Sequence, residues 1–175
     1  MILSDSELVE MLREPRTRRE GFAVLVKQYS EKLYWKVRRI VLSHEDANDV
    51  LQNVFIKVWS NLQNFQGKSS LSTWLYRIAI NESLDFLRKQ KLADKVSADE
   101  DVSVASRLMS DEYFDGDEVQ ARLQEAVARL PEVQRTVFNL KYFEEMKYSE
   151  ISQILNTSEG ALKASYHLAV KKITE

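Results

Sequence analysis

The sequence contains no cysteine, and it has only 4 glycines, 2 prolines and 2 histidines among 175 residues. Without cysteine there is neither a disulfide nor a thiolate metal site, which is typical of a reducing cytosol. Scarce glycine and proline disfavour β-rich folds, which need frequent turns, and predict an all-α chain. Two histidines are too few for a histidine zinc site without carboxylates, so we expect no metal and no cofactor.

Long apolar runs are absent as well. The N-terminus lacks the basic start and apolar core of a signal peptide, and no run approaches the roughly 20 residues that span a bilayer. We therefore expect a soluble cytoplasmic protein without direct membrane insertion. The chain also lacks a Gly-rich phosphate loop, a Ser/His/Asp arrangement and a His/carboxylate cluster at metal spacing, so we do not expect an enzyme.

Charge is unevenly distributed along the chain. The net charge is −2, but residues 92–118 carry nine acidic residues against Lys95 and Arg107, a local charge of −7 that leaves +5 on the rest. This segment shows no sustained apolar periodicity and predicts a flexible acidic linker between two helical domains, at residues 5–91 and 119–175.

One stretch of the first domain, Asp46 to Leu62, has two faces when read as a helix. The apolar face predicts burial in the core, and it consists of Val50, Leu51, Val54, Phe55, Val58, Trp59 and Leu62. The second row holds Asp49, Gln52, Asn53, Ile56 and Ser60. Amide and apolar groups outside a core favour a surface that docks another protein. The alternative is an ordinary amphipathic helix with one surface isoleucine.

Other helices of this domain are predicted from their caps and periodicity. Ser4 to Ser6 cap a short helix before Pro15, Gly21 precedes a helix from Phe22 to about Leu42, and a third runs from about Leu71 to Lys91. The third helix is apolar on two sides, which predicts a central position in the domain.

The remaining strip of that third helix carries Trp74, Arg77, Asn81, Asp85 and Arg88. An aromatic, two arginines and an amide in one row can track a phosphate backbone and hold exposed bases. The alternative is a partly buried tryptophan beside an Asp85–Arg88 ion pair.

The C-terminal domain is predicted to contain four helices, near 119–130, 131–143, 149–155 and 159–173. The turn Asn156-Thr157-Ser158 between the last two is typical of a helix-turn-helix, because Asn tolerates a left-handed backbone and Ser158 can cap the following helix. Lys163, His167 and Lys171 form an outward row beside Gly160 and Ala164, which favours DNA contact. A helical hairpin with a solvated lysine row is the alternative.

In this order, the segments resemble the extracytoplasmic-function (ECF) group of bacterial sigma-70 factors. The segment DANDVLQNVFIKVW is similar to the polymerase-binding helix of sigma region 2, and FQGKSSLSTWLYRIAINESLDFLRKQK to its −10 segment. Residues from Leu130 to Ile173 resemble region 4. The resemblance implies a transcription initiation factor that binds core RNA polymerase and opens promoters. A free-standing helix-turn-helix transcriptional regulator is the alternative.

The resemblance also implies roles for individual residues and partners. The polymerase β′ coiled coil would be contacted by Asp49, Gln52, Asn53 and Ile56, and the β subunit is a further partner. The −10 strand would be held by Phe65, Lys68, Ser69, Ser72, Thr73, Trp74, Arg77, Asn81 and Arg88. The −35 groove would be entered by the helix-turn-helix at 149–168, through Ser158, Glu159, Gly160, Lys163, Ala164 and His167, with Lys171 beyond it. Family membership further implies an anti-sigma factor.

Three positions depart from the family pattern. Glu145 stands where a small residue or glycine is common, and Ser165 and Leu168 replace frequent basic residues of the recognition helix. Two fewer cations imply fewer phosphate contacts and a shallower salt dependence of DNA binding.

Overall fold

The computed structural model describes residues 2–65, 67, 69–93 and 116–175, with residues 91–93 as backbone only. This part of the chain contains helices and no β-strand, as the all-α prediction requires, and it divides into two compact units after Lys89. The predicted contact residue Lys68 and most of the predicted acidic linker, residues 94–115, lie outside the described residues.

The N-terminal unit is built from four α-helices. They are α1 (Asp5–Arg13), α2 (Arg18–Val41), α3 (His44–Ser60) and α4 (Leu71–Ala93), with a 3-10 turn at Leu62–Asn64. Ser4 caps α1 as predicted: its side chain accepts from the Glu7 amide, and the Glu7 carboxylate accepts from the Ser4 amide. Both polar groups at this helix start are thereby satisfied.

Gly21 does not precede α2, as the sequence suggested, but lies inside it, because the helix begins at Arg18. A Cβ atom at Gly21 would lie 2.8 Å from the Cβ of Met11 in α1. Gly21 therefore marks a close approach of α1 and α2 rather than a helix start. Glycine inside a helix lowers stability relative to alanine, but here it leaves the space that this contact needs.

The core of this unit confirms the two-sided pattern of α4. Leu71 and Leu75 are buried on one side, and Ile80, Leu84 and Leu87 are buried on the other. The apolar face of α3 is buried at Val50, Val54 and Val58, and half-buried at Leu51, Phe55 and Leu62. The helices α1 and α3 both pack against α2.

Burial of Trp59 was a wrong prediction, since its side chain is 43% exposed. It stands on the last turn of α3, which ends at Ser60, and its ring meets that of Phe22 edge-on at a centroid distance of 5.0 Å. One side of the indole therefore packs on α2 while the rest remains open to solvent.

Within residues 116–175, the C-terminal unit also contains four α-helices. They are α5 (Glu118–Ala128), α6 (Glu132–Phe138, continued by a π-helical turn at Asn139–Phe143), α7 (Tyr148–Leu155) and α8 (Glu159–Thr174). Pro131 stands at the N-cap of α6, where its missing N–H costs nothing. The core joins α5, α6 and α8 through Val127, Leu130, Phe138 and Ala169.

Candidate functional site

The outward row of α3 is fully displayed on the surface. Asp49, Gln52 and Asn53 are exposed, and Ile56 is 62% exposed. At this exposure Ile56 keeps most of the water around its side chain, so its burial by a partner would be favourable.

Ile56 is also part of a larger apolar feature. It lines an open depression of about 450 Å³ together with Arg19, Phe22, Phe55 and Trp59. Ile56 therefore does not stand alone on the surface but lies beside the exposed ring of Trp59. The sequence pattern missed this depression because it assigned Trp59 to the core.

A buried polar network fixes the start of α3. Tyr34 of α2 is completely buried, and its hydroxyl lies 2.7 Å from His44 Nδ1 at the first residue of α3. Arg38 Nε donates to the Tyr34 oxygen at 3.2 Å, and its NH1 donates to the carbonyl of Leu42. The Leu42 backbone is left-handed, with φ of 76°, so this network holds the turn between α2 and α3. Nothing in the helical periodicity indicated it.

The far end of α3 is tied to α4 by an ion pair. Lys57 Nζ lies 2.8 Å from Glu82 Oε2, and the Glu82 side chain is mostly buried. The hydrogen bond that Lys57 donates to Glu82, together with the negative charge of Glu82, raises the pKa of Lys57. The ion pair therefore links the helix with the proposed docking row to the helix with the nucleic-acid strip.

Hydroxyl groups organise the entry into α4. Ser70 Oγ accepts from the Thr73 amide at 3.2 Å and donates to Thr73 Oγ1 at 2.9 Å. Just before it, Gly67 has a φ of 74°, which L side chains rarely adopt, and the Phe65 ring packs against Trp74 at a centroid distance of 5.0 Å. The predicted contact residues Ser69, Ser72, Thr73 and Trp74 are half-buried around this turn.

Along the strip of α4, the predicted polar residues are exposed but not all are unpaired. Arg77, Asn81 and Arg88 are all exposed. Of these three, Arg88 forms an ion pair with Asp85. The half-buried Trp74 and this ion pair are both features of the alternative interpretation. The exposed Arg77 and Asn81, in contrast, are features of a strip that contacts nucleic acid.

The helix-turn-helix has the predicted geometry. Asn156 adopts the left-handed conformation with φ of 54°, and Ser158 Oγ accepts from the Ala161 amide to cap α8. Ser152 Oγ donates to the Thr157 carbonyl at 2.7 Å, which closes the turn. Ile151 and Leu162 are buried between the two helices, so α7 and α8 are fixed relative to each other.

The predicted contact residues of α8 all lie on the exposed face. These are Ser158, Glu159, Gly160, Lys163, Ala164, His167 and Lys171. A Cβ atom at Gly160 would meet nothing within 4 Å, so this part of the helix offers open space for a close backbone approach. Leu168 is exposed and Ser165 is half-buried.

Two features of this unit were not foreseen. Glu145, in the turn before α7, has a φ of 52°, which explains why a glycine suits that position. Tyr148 lies beside two lysines, one from the turn after α6 and one from α8.

The described residues contain neither a cluster of metal-binding side chains nor a helix that could cross a membrane. Among those residues no group of three or more His, Asp or Glu side chains is placed to hold a metal ion. No helix there has both the length and the apolar character needed to cross a bilayer.

Comparison with known families and proteins points to one class. The family description Sigma-70 region 2 matches residues 25–93, and Sigma-70, region 4 matches residues 120–173. The ECF RNA polymerase sigma factor SigW of Bacillus subtilis is 33% identical over 157 residues, which cover 85% of this chain and 84% of that protein. The RNA polymerase sigma-H factor of Pseudomonas aeruginosa is 31% identical over 169 residues, with 91% and 86% covered.

Solved structures support the fold. CnrH, in complex with the cytosolic domain of CnrY, matches with a TM-score of 0.61 at 20% identity over 97% of this chain and 92% of that one. The sigma factor RpoE of Bartonella quintana, in complex with the anti-sigma factor NepR, matches with a TM-score of 0.61 at 19% identity, covering 88% and 94%. On these similarities in sequence, the chain belongs to the ECF group of the sigma-70 family and is a transcription initiation factor that directs RNA polymerase to promoters.

Proposed function

We propose that the chain acts without catalysis, through three binding surfaces: the α3 row on core polymerase, the α4 strip on the −10 strand, and α8 in the −35 major groove. The exposure of the predicted rows on helices whose other faces are core carries this proposal. The domain bounds are residues 5–91 for polymerase and −10 contacts, 92–118 for the linker, and 119–175 for −35 contacts.

The polymerase surface is centred on Ile56 and the apolar depression next to it. Exposed apolar area flanked by the amides Gln52 and Asn53 has the composition of an interface core with a polar edge. The β′ coiled coil of core polymerase is the partner that the family resemblance implies for this row, with the β subunit as a further partner.

Introducing a negative charge at the centre of this surface tests whether it binds polymerase. The double variant Gln52→Ala, Ile56→Glu is expected to lose polymerase binding, measured by titrating labelled protein with core polymerase, while the far-UV circular dichroism stays unchanged. Ile2→Glu is the matched control, because it makes the same change at an isoleucine that is 88% exposed in the same unit. Unchanged polymerase binding by the double variant would remove the α3 row from the docking surface.

The strip on α4 is proposed to hold the non-template strand of the −10 element. Trp74, beside Phe65, offers a stacking surface at the start of the helix, and exposed Arg77 and Asn81 continue along it. Flipping a base costs a few kcal/mol, which contacts of this kind can recover.

The rate of duplex opening tests whether the α4 strip acts in promoter melting or in recognition of the single strand. Trp74→Ala and Asn81→Ala are expected to slow open-complex formation on duplex promoters while −35 binding is retained, with Lys89→Ala, an exposed lysine of the same helix, as control. Defects that vanish on a premelted promoter assign the strip to melting, and defects that persist assign it to reading the single strand. A strip that acts in neither step would leave both substrates unaffected.

The charge of the protein fits a factor that works only with polymerase. A net charge of −2 disfavours tight unaided binding to DNA, and two weak contacts joined through polymerase gain from avidity instead. Incubation with duplex promoter DNA alone and with core polymerase alone tests this. Tight operator binding without polymerase, and no polymerase complex, would support the free-standing regulator instead.

An anti-sigma factor is proposed as a further partner, in line with the family. The similar sigma factor RpoE was solved in complex with the anti-sigma factor NepR, and CnrH in complex with the cytosolic domain of CnrY. An anti-sigma factor that blocks initiation by competition is expected to release core polymerase from this chain in a titration. A regulator that binds the preformed polymerase complex without releasing polymerase would contradict competition.

A further inference from the structure

Tyr148, the first residue of α7, lies beside lysines from two other elements. Lys141 Nζ, in the π-helical turn after α6, lies 4.5 Å from the centroid of the Tyr148 ring, and Lys163 Nζ, on α8, lies 5.7 Å from it. Both distances fall within the roughly 6 Å at which a cation is attracted to an aromatic ring. One ring therefore holds two ammonium groups where α7 and α8 meet.

A further contact restricts Lys141. Its Nζ also donates a hydrogen bond to the carbonyl of Met146 at 3.3 Å, so two contacts hold its ammonium group. Lys163 stands on the first turns of α8, five residues after the Ser158 cap. The two cations thus come from different elements and meet at the start of the helix-turn-helix, where Lys163 is exposed and Lys141 is half-buried.

In the part of the chain that the structure describes, neither of these two lysines forms an ion pair. Lys57, Arg88, Arg122 and Arg129 each lie within 4.0 Å of a carboxylate. Within the described residues, neither Lys141 nor Lys163 has a carboxylate at that distance. An aromatic ring orients a cation without cancelling its charge, so both ammonium groups keep their full attraction for a phosphate.

We propose that Lys141 and Lys163, positioned by the ring of Tyr148, contact the phosphate backbone of the −35 duplex, and that Lys163 does not read bases. The inference rests on the proposed function of the helix-turn-helix and refines it. A lysine drawn toward the start of α7 is turned away from base edges, which leaves base reading to the other exposed residues of α8. Tyr148 is a positioning residue, because it acts through the two lysines.

Salt dependence distinguishes phosphate contacts from base contacts. Binding of the complex with core polymerase to a promoter selected from a randomised pool is measured from about 50 to about 200 mM salt. Each lost phosphate contact lowers the slope of log affinity against log salt by about 0.9, so the double variant Lys141→Ala, Lys163→Ala is expected to lower it by about 1.8. Over this range, wild type then loses about tenfold more affinity than the double variant.

Sequence preference provides the second readout. Affinities for single-base variants of the −35 element are expected to keep the wild-type ranking in Lys163→Ala, because a phosphate contact carries no base information. A changed ranking at one base pair would overturn the inference by showing that Lys163 reads that base. Lys172→Ala, an exposed lysine near the end of α8, is the matched control and is expected to leave slope and ranking unchanged.

Variants of Tyr148 test its positioning role. Tyr148→Phe keeps the aromatic face and is expected to keep the wild-type slope, whereas Tyr148→Leu keeps an apolar side chain and is expected to lower the slope by about 0.9 to 1.8. In the background of the double lysine variant, Tyr148→Leu is expected to change the slope no further. A further loss there, or an equal loss in Tyr148→Phe, would show a merely structural role and overturn the inference.

The failures of the two proposals are distinguishable. A wild-type complex that shows no dependence on the −35 sequence removes the proposed function of the helix-turn-helix, and the inference with it. A wild-type complex that reads −35 while the double lysine variant keeps the wild-type slope overturns the phosphate contacts alone.

Discussion

Glu145 carries a backbone strain that a single substitution should relieve. Its φ of 52° lies in the left-handed region, which costs an L residue about 1–2 kcal/mol and glycine essentially nothing. Glycine also raises the entropy of the unfolded chain, which offsets about 0.4–1 kcal/mol of this gain. We therefore expect Glu145→Gly to stabilise the C-terminal unit by about 0.5–1 kcal/mol.

Hydrogen exchange measures this effect within one unit. The amides of α7 and α8 are expected to exchange about two- to fivefold more slowly in Glu145→Gly, as follows from that free energy if they exchange by unfolding of the unit. The three tryptophans, at positions 35, 59 and 74, all belong to the N-terminal unit. Thermal unfolding followed by tryptophan fluorescence therefore gives an internal reference that should not change.

Glu145→Ala is the matched control for this prediction. It removes the same exposed carboxylate but keeps a Cβ atom, so the backbone strain remains and exchange should stay close to wild type. Equal protection in the alanine and glycine variants would assign the effect to the lost charge. Unchanged or faster exchange in Glu145→Gly would refute the reasoning from φ.

Four further variants test contacts elsewhere in the two units. In urea titrations, Gly21→Ala is expected to lower the free energy of unfolding by about 1–3 kcal/mol, because the new Cβ overlaps α1. Gly160→Ala, which has open space around it, should raise the free energy of unfolding by about 1 kcal/mol. A change of the same sign in both variants would contradict this. Ser158→Ala removes the cap of α8 and should cost about 0.5–2 kcal/mol, seen as faster exchange in its first turn. The raised pKa of Lys57 means that its contribution to stability holds below the unfolded-state pKa of 10.5 and is lost as pH rises through the higher folded-state pKa. The stability difference between wild type and Glu82→Gln should therefore shrink from about pH 8 to about pH 11, and a constant difference would contradict it.

Local chemistry made the helix-turn-helix predictable from sequence. Asn156 tolerates the left-handed turn and Ser158 caps the helix that follows, and both act on backbone groups only a few residues away. Ile151 and Leu162 then fall at the junction because helical periodicity places them there. Each of these signals lies within one short window of sequence.

Contacts between helices were where sequence reasoning failed. Gly21 reads as a helix start until Met11 of α1 is seen beside it, and Trp59 fits an apolar stripe although α3 ends one residue later. The network of Tyr34, Arg38 and His44 bridges two helices across a left-handed turn. Periodicity reports which face of a helix is apolar, but it does not report what stands opposite that face.

The N-terminal unit joins its two proposed binding surfaces in one packed body. The docking row lies on α3 and the nucleic-acid strip lies on α4, and Lys57 and Glu82 bind these helices to each other. Glu82 is followed one turn later by Asp85, whose charge also acts on Lys57 and which pairs with Arg88 of the strip. A polymerase that restrains α3 therefore restrains the position of the strip through the same contacts, so docking and −10 recognition are expected to be coupled through the packing of this unit rather than through a movement within it.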